Sequence, residues 1–248
     1  MDTMDINRRE QMPATLGEEV KGKSYARQEG IIAPDVLSRA KISIIGVGSA
    51  GSFITLALAK LGVRSIEVFD NDIVSDTNIP AQFYRIKDIG KPKVVALQEL
   101  VKEFEDVDIV AHNERYNGQE LGGIVISAVD SLSARVFIWS QIKEMGLAHL
   151  PGREGPSHYV DTRMGGLTFR IYPVCLFNEP SYARYDKIVM NPKAKDNLMK
   201  IRCTERSIVF NILVLAGITA DIVVKILKEE PVPSQVIMDL KNLMLVTE

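Results

Sequence analysis

Cysteine is scarce in this chain. Cys175 and Cys203 are its two, far apart and in no C-x-x-C pair. A four-cysteine zinc site cannot be built from such a chain, and two separate thiols fit a reducing compartment. One-signed charge is missing too: 30 Lys and Arg against 32 Asp and Glu leave a net charge of −2, with no basic excess to suggest a nucleic-acid partner. No long uninterrupted hydrophobic run occurs. The longest, IVFNILVLAGITADIVVKIL at 208–227, is broken by Asn211, Thr219 and Asp221 and reads as a buried or interface helix rather than a membrane span. The start, MDTMDINRREQMPATLGEEVKGK, has no apolar core of the kind a signal peptide carries, so a cytoplasmic location is expected. Neither internal repeats nor low-complexity tracts are visible.

What is present is ordinary for a globular protein: 46% hydrophobic and 25% charged residues over 248 positions, enough to bury a core. Residues 1–23 read as a flexible N-terminal arm and 24–248 as one nucleotide-binding domain.

The most specific stretch is ISIIGVGSAGS at 42–52. ISII is a short, mostly β-branched run that reads as a buried strand. It breaks into Gly46-Val47-Gly48-Ser49-Ala50-Gly51, a G-x-G-x-x-G loop, and FITLALAK continues as a helix. A second apolar run, IEVF, ends in Asp70. This order makes a mononucleotide-binding βαβ unit. Gly46 permits the tight turn, Gly48 lets backbone N–H groups approach a phosphate, and Gly51 allows helix and strand to pack closely. The helix N-terminus offers unpaired N–H groups and a partial positive charge to an anion. Asp70 can accept hydrogen bonds from ribose hydroxyls.

Strand and helix then alternate. A helix is expected at 93–104, a strand at 108–112, a strand at 124–129 ending in Asp130, and a helix stopped by Gly146. LAHLPGR (147–153) is a candidate fifth strand. HYVDTRMGGLTFRIYPV reads as an antiparallel hairpin around Gly165-Gly166, the tract 178–205 as an irregular crossover loop, and VIMDLKNLMLV as a final strand. The expected fold is α/β: a Rossmann-like, doubly wound, mostly parallel sheet with antiparallel strands added in the C-terminal half.

In such a sheet the carboxyl ends of the strands converge on one crevice. Four elements besides the glycine loop fall there: Asp70-Asn71-Asp72, Asn78 with Gln82, Gly90-Lys91-Pro92-Lys93, and Asp130. Two lysines and a separate acid suit ATP better than NAD, because lysine balances triphosphate charge and Asp130 can hold Mg²⁺.

The succession GVGSAG, DNDIVSDTN, GKPKVVALQELVKEF and AVD resembles the ThiF/MoeB/HesA family, the adenylating core shared with ubiquitin-activating enzymes. The segment SYARQEGI is similar to that family's N-terminal arginine motif. The resemblance implies binding of ATP and Mg²⁺ and adenylation of the C-terminal carboxylate of a ubiquitin-like or sulfur-carrier protein ending in Gly-Gly, by a homodimer. By position, Gly46, Gly48 and Gly51 would cradle phosphate, Asp70 the ribose, and Asp72, Asn78 and Gln82 would shape the site. Lys93 would contact phosphate, Asp130 would carry the metal, and Arg27 would complete the partner's site.

The chain departs from that pattern. Where the family has N-x-x-R-Q, this sequence reads Asn78-Ile79-Pro80-Ala81-Gln82, so Ala81 replaces a phosphate-neutralising arginine. Arg85 is the nearest substitute. The family's paired C-x-x-C motifs are missing as well. Three activities therefore stay open: an adenylyltransferase, a degenerate nucleotide-binding scaffold, and an NAD-dependent oxidoreductase. Cys203, flanked by Arg202 and Arg206, is either a reactive thiolate or a plain thiol at a helix start. His149 and Arg153 either line the crevice or hold a loop. Asp161 and Arg163 fall on one side of a strand and read as an ion pair or a substrate contact. Trp139 reads as helix core, and Lys187, Lys193, Lys195, Lys200 and Arg202 as a locally positive face.

Overall fold

The computed structural model describes residues 25–148, 155–190 and 208–248. Eight strands form one sheet in the order β3-β2-β1-β4-β5-β6-β7-β8. β1 (Lys41–Ile45), β2 (Ser65–Phe69), β3 (Val110–His112), β4 (Gly123–Ser127) and β5 (Pro156–Gly165) run parallel. β6 (Thr168–Cys175), β7 (Val236–Asp239) and β8 (Met244–Thr247) then follow antiparallel. The helices are α1 (Pro34–Arg39), α2 (Ser49–Leu61), α3 (Lys93–Glu105), α4 (Leu132–Leu147), α5 (Glu179–Val189) and α6 (Val209–Leu227).

The parallel strands are apolar on both sides because both sides are covered. Along β1, Ile42 and Ile44 enter one core, shared with α2, α3 and α6, while Ile45 enters the other. That second core is aromatic: Trp139 of α4 meets Tyr185 of α5 edge-on, with ring centroids 4.8 Å apart, and both are fully buried. Trp139 is thus helix core, as its sequence context suggests. By length and composition α6 alone among the described helices is apolar enough to cross a bilayer, but here it packs on α2 and buries Ile212, Leu215, Val223 and their neighbours in the first core.

Several expectations need correction. Gly146 does not stop α4. It lies inside the helix, which ends at Leu147, and a Cβ there would come within 2.7 Å of Leu176. Close packing of α4 on Leu176, in the turn after β6, and not a left-handed cap, selects the glycine. Leu147 and Ala148 close α4 rather than open a strand; the rest of 147–153 lies outside the described residues. The fifth strand is instead the first arm of the expected hairpin, β5, paired parallel to β4 and antiparallel to β6. The tract 178–205 is not wholly irregular. Asn178 accepts a hydrogen bond from the N–H of Ser181, Pro180 follows, and α5 forms with Tyr185 and Val189 in the core. The last segment is a hairpin rather than one strand. The Asp239 carboxylate accepts from the Lys241 N–H at 2.9 Å and the Asn242 side chain at 2.7 Å, which turns the chain between β7 and β8.

Candidate active site

A cavity of about 1390 Å³ opens over the carboxyl ends of the parallel strands, where strand order reverses between β1 and β4. The glycine loop forms one wall. Gly46 has φ +88°, a left-handed turn that glycine takes without strain, and donates its N–H to the Phe69 carbonyl at 2.8 Å. A Cβ on Gly51 would lie 1.9 Å from the Gly46 carbonyl oxygen, so no other residue fits. Gly48 differs: a Cβ there would meet only the Gln82 side chain, at 4.0 Å, so its bareness serves the cavity and not the packing. Gly48 caps α2 without a side-chain hydrogen bond, and no acid occupies the first turn. The first turn of α2 thus lines the cavity and carries no acid of its own, and a helix N-terminus is partially positive.

Asp70 does more than the sequence suggests. Its carboxylate accepts from the Val47 N–H at 2.9 Å and the Asp72 N–H at 2.8 Å, clasping the glycine loop to the end of β2 while lining the cavity. The Tyr84 hydroxyl donates to the Val47 carbonyl at 2.6 Å; burial, and then Asp70, push that phenol well above its ordinary pKa and keep it a donor.

The segment after β2 supplies the next side chains. Asn78 accepts from the Ser75 N–H at 3.0 Å, and its carbonyl accepts from the Gln82 N–H at 2.9 Å, which turns Asn78, Ala81 and Gln82 toward the cavity. The Gln82 Oε1 is buried without a hydrogen-bond partner. Lys93, the first residue of α3, is buried, and its Nζ lies 2.8 Å from the carboxylate of the exposed Asp72. Asp130 follows β4 on the opposite wall.

The cavity therefore gathers Gly46, Gly48, Asp70, Asp72, Asn78, Gln82, Lys93 and Asp130, with Gly51 packed behind the loop. Arg27 is exposed in the turn 26–30 and does not line its own chain's cavity. Arg85 does not replace the cation missing at Ala81: it bonds Asp88 at 2.9 Å and pairs with Glu103, away from the lining. Cys203, His149, Arg153, Lys193, Lys195, Lys200, Arg202 and residues 1–23 lie outside the described residues.

Two cavity arginines, Arg115 and Arg135, escaped the sequence reading, and a third, Arg163, was expected only as half of an ion pair or as a substrate contact. Arg115 reaches the rim from the segment after β3 and donates to Asn71 at 3.1 Å. Arg135 of α4 and Arg163 of β5 line the far wall and share one fully buried carboxylate, Asp161. Arg163 Nε lies 2.6 Å from Asp161, and the Tyr185 hydroxyl donates to the same carboxylate at 2.7 Å. The Asp161–Arg163 ion pair is thus present. Burial would raise the Asp161 pKa; the two guanidiniums outweigh it and, with the tyrosine, hold the carboxyl below the usual range.

No cluster of three or more His, Cys, Asp or Glu side chains able to hold a metal occurs among the described residues. Single carboxylates such as Asp130 still fit Mg²⁺, which takes one or two protein ligands and fills its octahedron with water and phosphate oxygens.

A mostly parallel sheet with a bare glycine loop at its switch point defines a Rossmann-type α/β protein. The ThiF family model matches residues 25–246, and the chain belongs to that family. It is 35% identical over 111 residues to a NEDD8-activating enzyme E1 catalytic subunit from Arabidopsis thaliana, across 42% of this chain and 24% of that one. Over 190 residues it is 25% identical to the tRNA threonylcarbamoyladenosine dehydratase of Haemophilus influenzae, covering 71% and 73% of the two chains. The chain spans 24% and 32% of the E1 catalytic subunits of Arabidopsis thaliana and Caenorhabditis elegans. Among solved structures, Escherichia coli MccB with ATP superposes with a TM-score of 0.64 at 16% identity, over 87% of this chain and 65% of that one. PaaA gives 0.65 at 19% identity, with the same coverage. These likenesses show a common fold.

Proposed function

We propose that this chain binds ATP in the cavity and activates a carboxylate by adenylation. The observation that carries this is the joint exposure of bare Gly48, the α2 N-terminus and the buried Lys93 to one cavity that also holds Asp130. ATP supplies an α-phosphate for a substrate carboxylate to attack, yielding an acyl-adenylate and pyrophosphate. The protein's part is positioning and charge. Backbone N–H groups of the glycine loop bind phosphate oxygens. Lys93, oriented by Asp72, adds a fixed positive charge. Asp70 and Gln82 offer acceptors, Asn78 shapes the loop, and Asp130 is the carboxylate for Mg²⁺.

E1 subunits named for NEDD8 and SUMO activation among the relatives, and MccB structures carrying ATP or a peptide, support this choice. A ubiquitin-like or sulfur-carrier protein ending in Gly-Gly is the proposed substrate class. Pyrophosphate exchange into ATP, stimulated by such a protein, tests it; no exchange and no ATP binding would refute it.

The second reading is nucleotide binding without turnover. Ala81 lines the cavity where the family arginine is expected, and Arg85 is committed to Asp88 and Glu103. Calorimetry showing ATP binding, with exchange absent, would select this reading. Homodimerisation is proposed on two grounds: Arg27 is exposed away from its own cavity, and Val209, Phe210 and Leu213 of α6 stay 41%, 46% and 53% exposed. A monomeric mass by light scattering would exclude it.

A further inference from the structure

The two walls of the cavity treat anions differently. The glycine-loop wall offers backbone N–H groups and Lys93. The far wall offers two guanidiniums that share the buried Asp161 carboxylate. Resting on the carboxylate activation inferred above, we propose that Arg135 and Arg163 recognise the carboxylate of the acyl substrate and hold it on the wall opposite the phosphates.

Both arginines line the cavity, yet their side chains are only 8% and 6% exposed. Each is fixed on several sides. Arg135 donates to Asp161 and to the Val129 carbonyl. Arg163 donates to Asp161, and its guanidinium lies 4.9 Å from the centre of the Tyr172 ring. Guanidinium forks match a planar carboxylate in two parallel hydrogen bonds, and because rotamers are already set, little entropy is lost on binding.

The surroundings define the rest of the ligand. Phe137 and Met164 line the same side of the cavity, and the Thr162 hydroxyl is spent on the Ser127 carbonyl at 3.0 Å. The wall therefore suits a terminal carboxylate on an uncharged chain. Asp130, on the same wall, repels a carboxylate until its own charge is met by a cation, so acyl binding at this wall is expected to tighten with Mg²⁺.

The probe is a synthetic hexapeptide ending in Gly-Gly, as the free acid and as its C-terminal amide. Each is titrated against the full chain by NMR line broadening, and ATP is titrated separately by calorimetry. The acid is expected to bind about tenfold tighter than the amide, the scale of one charge-assisted hydrogen bond. Arg135→Gln and Arg163→Gln should each abolish that ratio and leave ATP affinity unchanged. Equal binding of acid and amide to the unaltered chain, or binding of neither, would overturn the proposal, and this comparison needs no variant to fold. Loss of ATP affinity in the variants with the acid–amide ratio intact would also overturn it, assigning the arginines to the phosphates. If the unaltered chain binds no ATP yet still prefers the acid, carboxylate activation fails and the carboxylate wall stands.

Discussion

The cavity has two walls made in different ways. Around the glycine loop side chains are valuable for being missing: nothing at Gly48 obstructs the cavity, and nothing but hydrogen fits at Gly51. Across from it, β5 and α4 build a wall from buried charge, with Asp161 holding Arg135 and Arg163 in place. The first wall is local and tolerates little change in the chain's path. The second is non-local and depends on every partner being present. The walls should therefore fail differently.

The largest effect is expected at Asp161. Replacing it with Ala leaves two arginines with no shared counter-charge in a buried site, which costs about 3–5 kcal/mol. Urea unfolding should show this as a lower midpoint, while the folded fraction still binds ATP through the other wall. Lys93→Ala should do the reverse. Pyrophosphate exchange should fall on the order of 10²–10³-fold, the scale of a lost transition-state charge contact. Stability should change little, because its partner Asp72 is largely exposed.

The paired glycines sharpen the contrast within one wall. Gly51→Ala forces a Cβ into the Gly46 carbonyl and should lower the melting temperature and remove ATP binding together. Gly48→Ala should leave the melting temperature in place and weaken ATP binding by about tenfold, since its new methyl meets the ligand rather than the protein. A melting temperature that drops equally in both variants would erase the distinction.

The smallest effect is one of pH. Asp161 and Asp88 both carry folded-state pKa values below the ordinary carboxylate value, because for each the gain from arginine neighbours outweighs the opposing effect of burial. Lowered values mean that the stability they contribute is fully present above about pH 3.9 and is lost as pH falls toward the folded values. Acid unfolding should therefore begin below about pH 4, and in Asp161→Asn that component should vanish.

The glycine-loop side of the cavity was legible because each of its determinants is local. Gly46 to Gly51, Asp70 and Lys93 each sit at the end of a strand or the start of a helix that local periodicity already announces. Gly146 misled because a glycine near a helix end has two uses, and only the approach of Leu176 decides between them. α5 was overlooked although Asn178 and Pro180 signal its start, since the long polar tract around it outweighed one turn of cap chemistry. The hairpin after Asp239 escaped for a similar reason: an Asp-Leu-Lys-Asn turn carries no glycine, and its signal is a side chain bonding its own backbone.

By itself the sequence determined that the chain forms a mostly parallel α/β sheet with a glycine-lined turn at its switch point, because strand, turn and helix propensities and a missing Cβ are properties of neighbouring residues. Of the far wall the sequence offered the Asp161–Arg163 pair as one of two readings; tertiary structure decided the rest. Arg135, Asp161, Arg163 and Tyr185 come from α4, β5 and α5, and the pairing of two guanidiniums on one buried carboxylate exists only once those elements pack together. It also decided that Arg85 is spent on Asp88 and does not supply a cation beside Ala81. Charge and spacing list the possible partners of an ionic side chain; burial and distance select among them.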